Sequence, residues 1–290
     1  MTTTESNFPS LILGFMRLRD YPELLSARGL ADWIGQRLDE GLDTFDHADI
    51  YGEGCCEAAF GDAIRSDPTL RQRVKVVTKA DIVRADDPAN ESGIKHYRTD
   101  ATYLRQAVDR ALQRLSIDQI DTFLIHRPDP LMDAAEVVET LEEAVTAGKI
   151  RQIGVSNFLP EQWRWLASQT RLTLACNQSQ LSLAHSAPLF DGTLEAHHRD
   201  HLRWLAWSPL AGGAENKGLA SALAWGKEET GLSETALKIA WLRRLPGAPV
   251  PVLGSMKAER IAEALRGCEY TMPRDLWYAL LERTRGTAVP

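Results

Sequence analysis

The chain has 290 residues, 44% of them hydrophobic and 25% charged, the composition of a folded globular protein rather than a disordered one. Its 33 Lys plus Arg against 40 Asp plus Glu give a formal charge of −7, which leaves no basic footprint for nucleic acid. No apolar run approaches the ~20 residues of a bilayer span. The opening MTTTESNFPS has no basic start leading into an apolar stretch. A cytoplasmic chain with no membrane partner is expected. The four cysteines, Cys55, Cys56, Cys176 and Cys268, form neither a disulfide framework nor a CxxC pair, so reduced thiols are expected.

In chain order, eight short apolar or β-rich runs end in polar or turn residues. They are LILG from Leu11, DTFDH from Asp43, VKVVT from Val74, DTFLIH from Asp121, RQIGV from Arg151, LACNQ from Leu174, RWLAWS from Arg203 and VPVLG from Val250. Successive starts lie 23–47 residues apart, room for the crossover helix that parallel strands need. Between them LADWIGQRLDEG, TYLRQAVDRALQRL, AAEVVETLEEAVTAG and SETALKIAWLRRL place apolar residues at three- and four-residue steps, the pattern of amphipathic helices. Gly41 and Gly148 follow two of these as C′ residues, and Asp133 is the N-cap of the third. No linker, repeat or low-complexity stretch interrupts the alternation, so residues 1–290 are expected to form one (β/α)8 barrel domain, a TIM barrel. An open doubly wound sheet binding a dinucleotide would carry GxGxxG after an early strand, but the first run continues into GFMRLRD.

Barrel chemistry sits at the C-terminal strand ends. After the second run comes FDHADIYG with Asp46 and Tyr51, after the third VVTKAD with Lys79, and after the fourth FLIHRPDP with His126. An Asp, a Tyr, a Lys and a His converging there suit a general acid beside a cation, with Tyr51 donating and Asp46 keeping Lys79 charged. A free phenol lies roughly three pKa units above neutrality, so a neighbouring ammonium would have to favour tyrosinate by about 4 kcal/mol to close that gap. Lys79 is expected to supply most of this.

Two further readings use the same residues. His47, Asp49 and His126 form a partial ligand set for a metal-dependent hydrolase, but the later strand ends carry Ser156, Asn157, Gln178 and Ser208 rather than further ligands. A nucleotide-binding redox sensor without turnover would keep the fold and drop the chemistry. In AHHRDH, His197 and His201 have the i, i+4 spacing of a zinc pair, yet neither a HExxH glutamate nor a third ligand accompanies them, and a solvated helix face is expected.

The ordered set FDHADIYG, VVTKA, LIHRPDP, IGVSNF, CNQ, WSPLAGG and GSMKAER resembles the aldo-keto reductase superfamily over nearly the whole chain. The resemblance implies a (β/α)8 barrel that binds NADPH without a Rossmann domain and reduces a small-molecule aldehyde or ketone, with no metal. It puts the catalytic tetrad on Asp46, Tyr51, Lys79 and His126, and the nicotinamide contacts on Ser156, Asn157 and Gln178, with Trp207 stacking on the ring. GSMKAER opens a helix whose N-terminal amides suit a phosphate. The resemblance places Gly254, Ser255, Lys257 and Arg260 there, with Ser208, Leu210 and Gly212 as the other wall and Glu263 on adenine. Arg260 and Lys257 favour NADP over NAD. The chain departs from many members in carrying Arg127, where they have an aromatic after the histidine. In this it resembles a bacterial subgroup with HRPDP. It also carries Gly254 where many have lysine.

Overall fold

The structure is a computed structural model that describes residues 8–212 and 217–289. The barrel strands are β1 (Ile12–Gly14), β2 (Thr44–Asp46), β3 (Lys75–Ala80), β6 (Ile120–Ile125), β7 (Ile150–Ser156), β8 (Cys176–Gln180), β9 (Arg203–Trp207) and β10 (Val250–Leu253); two short strands, β4 (Ile82–Val83) and β5 (His96–Tyr97), lie outside it. The eight close into a barrel in the order β1-β10-β9-β8-β7-β6-β3-β2. All eight expected runs are strands. They were visible because parallel strands covered on both faces read as near-continuous apolar runs. The short antiparallel β4–β5 pair was not foreseen, because two-residue strands leave no periodicity to read.

Among the described residues the helices are α1 (Ala27–Asp39), α2 (Cys55–Ser66), α3 (Ala101–Leu115), α4 (Ala134–Thr146), α5 (Pro160–Ala167), α6 (Thr193–Arg199), α7 (Lys217–Thr230), α8 (Glu234–Arg243), α9 (Ala258–Glu269) and α10 (Arg274–Arg285). Local capping sets several starts: Ser26, Asp100, Asp133 and Ser233 each accept a first-turn amide with the side chain, satisfying donors a helix leaves orphaned. Gly41 and Gly148 follow α1 and α4 with φ +82° and +74°, the left-handed C′ conformation expected of them. None of these helices is long and apolar enough to cross a membrane.

The chain divides into two compact units, Leu13–Asn177, and Met1–Ile12 with Gln178–Pro290. In the first, β1, β2, β3, β6 and β7 pair in parallel, with Asp46 level with Val77 and Lys79 level with Leu124. Its core includes Phe15, Phe45 and Phe60, whose ring centroids lie 5.4–5.8 Å apart, each fully buried and contributing about 1.5–3 kcal/mol by burial. The second unit stacks the buried Trp241 on the half-buried Trp277, centroids 5.1 Å apart. Each of the two indole N–H groups donates to the other residue's carbonyl, at 3.2 and 2.9 Å. His197 is also core: 5% exposed, it stacks on Trp204 at 4.5 Å and its Nδ1 meets the Leu202 carbonyl at 2.9 Å. The expectation of a solvated face holds for His201, which is exposed, and fails for His197.

Candidate active site

Asp46 closes β2 and Lys79 lies near the end of β3, so parallel pairing brings the two side chains to neighbouring strand ends. The Lys79 Nζ donates to Asp46 Oδ1 and to the His47 carbonyl, each at 2.7 Å. Both side chains are buried, at 1% and 3% exposure, which such charges tolerate only when paired and hydrogen-bonded. Beyond β2 the backbone keeps following β3, with His47 N–H bonded to the Val77 carbonyl and Asp49 N–H to that of Lys79. That path returns Tyr51 over Lys79, whose ammonium lies 5.1 Å from the ring centroid. The turn that follows needs positive φ at Gly52, Glu53 and Gly54, and a Cβ on Gly54 would overlap the Arg114 guanidinium.

His126 follows β6, tied by its N–H to the Ala80 carbonyl at 3.0 Å. Its ring meets that of Tyr51 edge-on, centroids 6.4 Å apart, and its Nδ1 is buried with no partner among the described residues. The four side chains therefore lie together. Burial and then the Lys79 charge pull the His126 imidazole well below its usual pKa, so it is neutral. Burial, followed by the Asp46 carboxylate, pushes the Tyr51 phenol well above its usual range.

The expectation that Lys79 would bring this phenol toward neutrality is not met. Its ammonium is held by Asp46 and the His47 carbonyl and faces the ring rather than displacing the phenolic proton. The cation that opposes the upward shift is Arg127.

Of the residues around this cluster, His47 and Asp49 entered the sequence analysis only as members of a metal-ligand set, and Glu57 and Asp81 did not enter it. His47 does not join His126: its ring packs 4.5 Å from Phe15 and 4.8 Å from Phe60, and burial with the Lys79 charge lowers its pKa to about 3. Asp49 accepts a long hydrogen bond from the Tyr103 hydroxyl, 3.4 Å, and burial with the nearby Glu57 raises its carboxyl to about 7. Glu57 is fully buried and accepts from Thr78 Oγ1 at 2.7 Å. Asp81, also buried, has φ +127°, a strained conformation for a residue with a Cβ. Its Oδ2 accepts the Arg127 N–H at 2.8 Å. Of Glu57 and Asp81, only Glu57 had a sequence signal, its place on a helical face, and a buried acid there cannot be told from a solvated one.

In the same unit Ser156 ends β7, and Asn157 follows with φ +63°, a left-handed conformation that Asn tolerates. Asn157 Nδ2 donates to the His126 carbonyl at 3.1 Å and to Ser156 Oγ at 2.9 Å. Asn177, which the sequence reading passed over within CNQ, is fully buried. It exchanges bonds with the Phe158 backbone at 3.0 and 3.4 Å, fixing the loop behind Asn157.

In the second unit Gln178 is buried on β8 and Trp207 ends β9 half-buried, its Cα level with Val252 of β10. Ser208 turns left-handed at φ +54°, followed by Leu210, half-buried, and Gly212, exposed. Past β10, Gly254 has open space around its Cα and Ser255 is buried. Lys257 is the N-cap of α9 without a capping side chain, so the first-turn amides remain available to an anion.

Lys257, Arg260 and Glu263 line an open cavity of about 340 Å³ with Ser233, Glu234, Thr235 and Glu259. The start of α8 lines this cavity, and Ser208, Leu210 and Gly212 are not among its lining residues. Neither Lys257 nor Arg260 is in an ion pair among the described residues. Arg260 also helps to depress the ammonium of Lys238, which burial lowers first. Hydrogen bonds from Ser233 and Arg266 hold Glu263 below the usual carboxylate range. Two unpaired cations at an uncapped helix start fit a phosphate group.

The chain matches the aldo/keto reductase family over residues 10–280. It belongs to the aldo/keto reductase family. The chain is 39% identical over 289 residues to the oxidoreductase YdhF of Escherichia coli K12, spanning 98% of this chain and 96% of that one. To a 6-dehydroglucose reductase of Agrobacterium fabrum it is 36% identical over 284 residues, 96% of this chain and 95% of that one. Among solved structures, an aldo-keto reductase from Klebsiella pneumoniae in complex with NADPH superposes with TM-score 0.78 at 25% identity, covering 95% of this chain and 90% of that one. As a member of the aldo/keto reductase family the chain is an oxidoreductase, and the convergence of Asp46, Tyr51, Lys79 and His126 agrees with that.

Proposed function

We propose that this chain reduces an aldehyde or ketone to the alcohol using NADPH, with Tyr51 as general acid. The observation that carries this is the buried Lys79–Asp46 pair, 2.7 Å, with Tyr51 over the ammonium and neutral His126 edge-on to its ring. Support for NADPH comes from the Klebsiella pneumoniae relative bound to it and from the phosphate-compatible cavity of Lys257 and Arg260.

When bound, the cofactor supplies a hydride to the carbonyl carbon. Lys257 and Arg260 would hold its 2′-phosphate with the α9 amides, and Glu263 its adenine. Ser156, Asn157 and Gln178 would hold the carboxamide, Trp207 would stack on the nicotinamide, and Ser208, Leu210, Gly212, Gly254 and Ser255 would lie along the pyrophosphate.

The chain's own residues handle the proton. As negative charge builds on the carbonyl oxygen, Tyr51 donates its phenolic proton to it. The raised phenol pKa keeps that proton in place at neutral pH and leaves it to the reaction to pull it off. Lys79 then stabilises the phenolate electrostatically, and Asp46 keeps Lys79 charged. Neutral His126 offers a ring N–H to the same oxygen, which suits an electrophile that must not repel the cation next to it.

Loss of NADPH absorbance with a panel of aromatic aldehydes, diketones and quinones tests this. Turnover that requires the Tyr51 hydroxyl supports it; NADPH binding with no carbonyl reduced would leave the redox-sensing alternative standing.

A further inference from the structure

Arg127 is the first residue beyond His126, and three features hold it in place. Its N–H is bonded to the buried Asp81 Oδ2 at 2.8 Å. The Asp81 backbone is itself locked, its carbonyl accepting the Arg98 N–H at 2.8 Å. Pro128 restricts Arg127 to extended conformations. A strained, buried aspartate at φ +127° persists only where its surroundings over-determine it, and what it fixes here is the peptide carrying Arg127.

The guanidinium has no hydrogen bond or ion pair among the described residues and is half-buried. None of the nearby acids is hydrogen-bonded to the guanidinium among the described residues, although Asp81 Oδ1 has no partner there. Asp46 is bonded to Lys79, Asp81 spends an oxygen on the Arg127 backbone, and Asp129 accepts from Thr99 Oγ1 at 3.1 Å and from the Leu131 N–H at 2.9 Å. The Arg127 charge is felt at both proton-handling groups, Tyr51 and His126. Lys95, exposed and likewise unpaired among the described residues, also bears on His126. A half-buried guanidinium with no counter-ion of its own carries a desolvation cost, and a substrate anion would relieve that cost.

We propose that Arg127 is a specificity-determining residue that binds an oxyanion group, such as a carboxylate, on the carbonyl substrate, with Lys95 as the outer cation. Its planar fork accepts two oxygens in parallel, and its anchored backbone sets the distance between that anion and the reacting carbonyl at Tyr51. The assignment rests on the reductase reading above.

The test compares 4-carboxybenzaldehyde with its methyl ester. For the wild type, kcat/KM favours the carboxylate, chiefly through KM. In Arg127→Gln the carboxylate-to-ester ratio falls on the order of 10- to 100-fold, the loss expected for a charge-assisted hydrogen bond, and Arg127→Lys retains part of the preference. Using a ratio cancels whatever Arg127 does to the Tyr51 proton, which affects both substrates alike. An unchanged ratio in Arg127→Gln overturns the proposal.

Calorimetric binding of benzoate to the NADPH-saturated protein supplies a readout without turnover. Benzoate affinity that falls in Arg127→Gln supports the anion site even if neither aldehyde is reduced, in which case only the reductase reading fails. Equal affinity in both proteins, or no benzoate binding to the wild type, overturns the anion site.

Discussion

Lys79 and Tyr51 meet face-on, with the ammonium 5.1 Å from the centre of the ring, and this geometry decides how the phenol is used. A cation over an aromatic face is attracted to the ring quadrupole without taking the hydroxyl proton. Burial and the Asp46 carboxylate then keep Tyr51 protonated. With Tyr51 as the proposed acid, the same ammonium would stabilise the phenolate once the proton has gone, so its effect would be largest when charge has developed.

Tyr51→Phe removes only the donor. Its kcat should fall by about 100- to 10,000-fold, the usual contribution of a positioned acid, while NADPH affinity by fluorescence titration changes little. Turnover near the wild-type rate would take Tyr51 out of the acid role.

The buried Asp46–Lys79 pair also bears on stability. Asp46→Ala strands the Lys79 ammonium without its carboxylate and should cost about 3–5 kcal/mol, read from chemical denaturation. Adding Lys79→Met should restore part of that loss, because no unpaired charge then remains. Strict additivity of the two single losses would show that the ion pair is not coupled.

What the sequence made legible was whatever repeats locally. Each barrel strand was a short apolar run, and Asp46, Lys79 and His126 stood at or beside the end of one with Tyr51 in the turn that follows, so all could be read without contacts. Asp81 acts on Arg127 across 46 positions, through a backbone angle that no residue pattern announces. The part α8 plays in lining the cavity at Arg260 was hidden for a similar reason: Ser233 reads as an N-cap, and only the packed helices show that it lines that cavity as well. The direction of the Tyr51 shift was misjudged because residue types alone do not say whether an ammonium meets a hydroxyl or a ring face.

Arg260→Ala should weaken NADPH on the order of 10- to 100-fold, the value of a charge-assisted phosphate contact, and NADH far less, since only the former carries the 2′-phosphate. Titrating both cofactors by fluorescence checks this. Parallel losses would move Arg260 away from that phosphate.

A close approach between helices gives a purely structural prediction. A Cβ on Gly61 of α2 would overlap the Arg114 carbonyl at the end of α3, backbone that cannot swing aside as a side chain can. Gly61→Ala should therefore destabilise the protein by about 1–3 kcal/mol, as overpacking does, although alanine favours the helix itself. A midpoint of denaturation equal to or above that of the wild type would contradict the packing.

Asp49 gives the stability of the fold a pH dependence of its own. Its carboxyl rises from the ordinary 3.8 to about 7, first because it is buried and then because Glu57 is near. The folded state therefore binds a proton that the unfolded state has released between these two values, and stability from this group is fully present below about pH 4 and is lost as the pH climbs through 7. A raised acid of this kind is worth on the order of 2–4 kcal/mol across the window. His47, held near 3, works in the opposite sense, gaining stability as the pH rises toward 6.5, so the wild-type profile alone does not isolate Asp49. Asp49→Asn does, because it keeps an acceptor for the Tyr103 hydroxyl and removes the titration. The difference in unfolding free energy between variant and wild type, measured by urea denaturation from pH 4 to 8, should drift in favour of the variant as the pH rises and level off above 7. A difference that stays constant across that range would mean that Asp49 is ionised in the folded protein throughout.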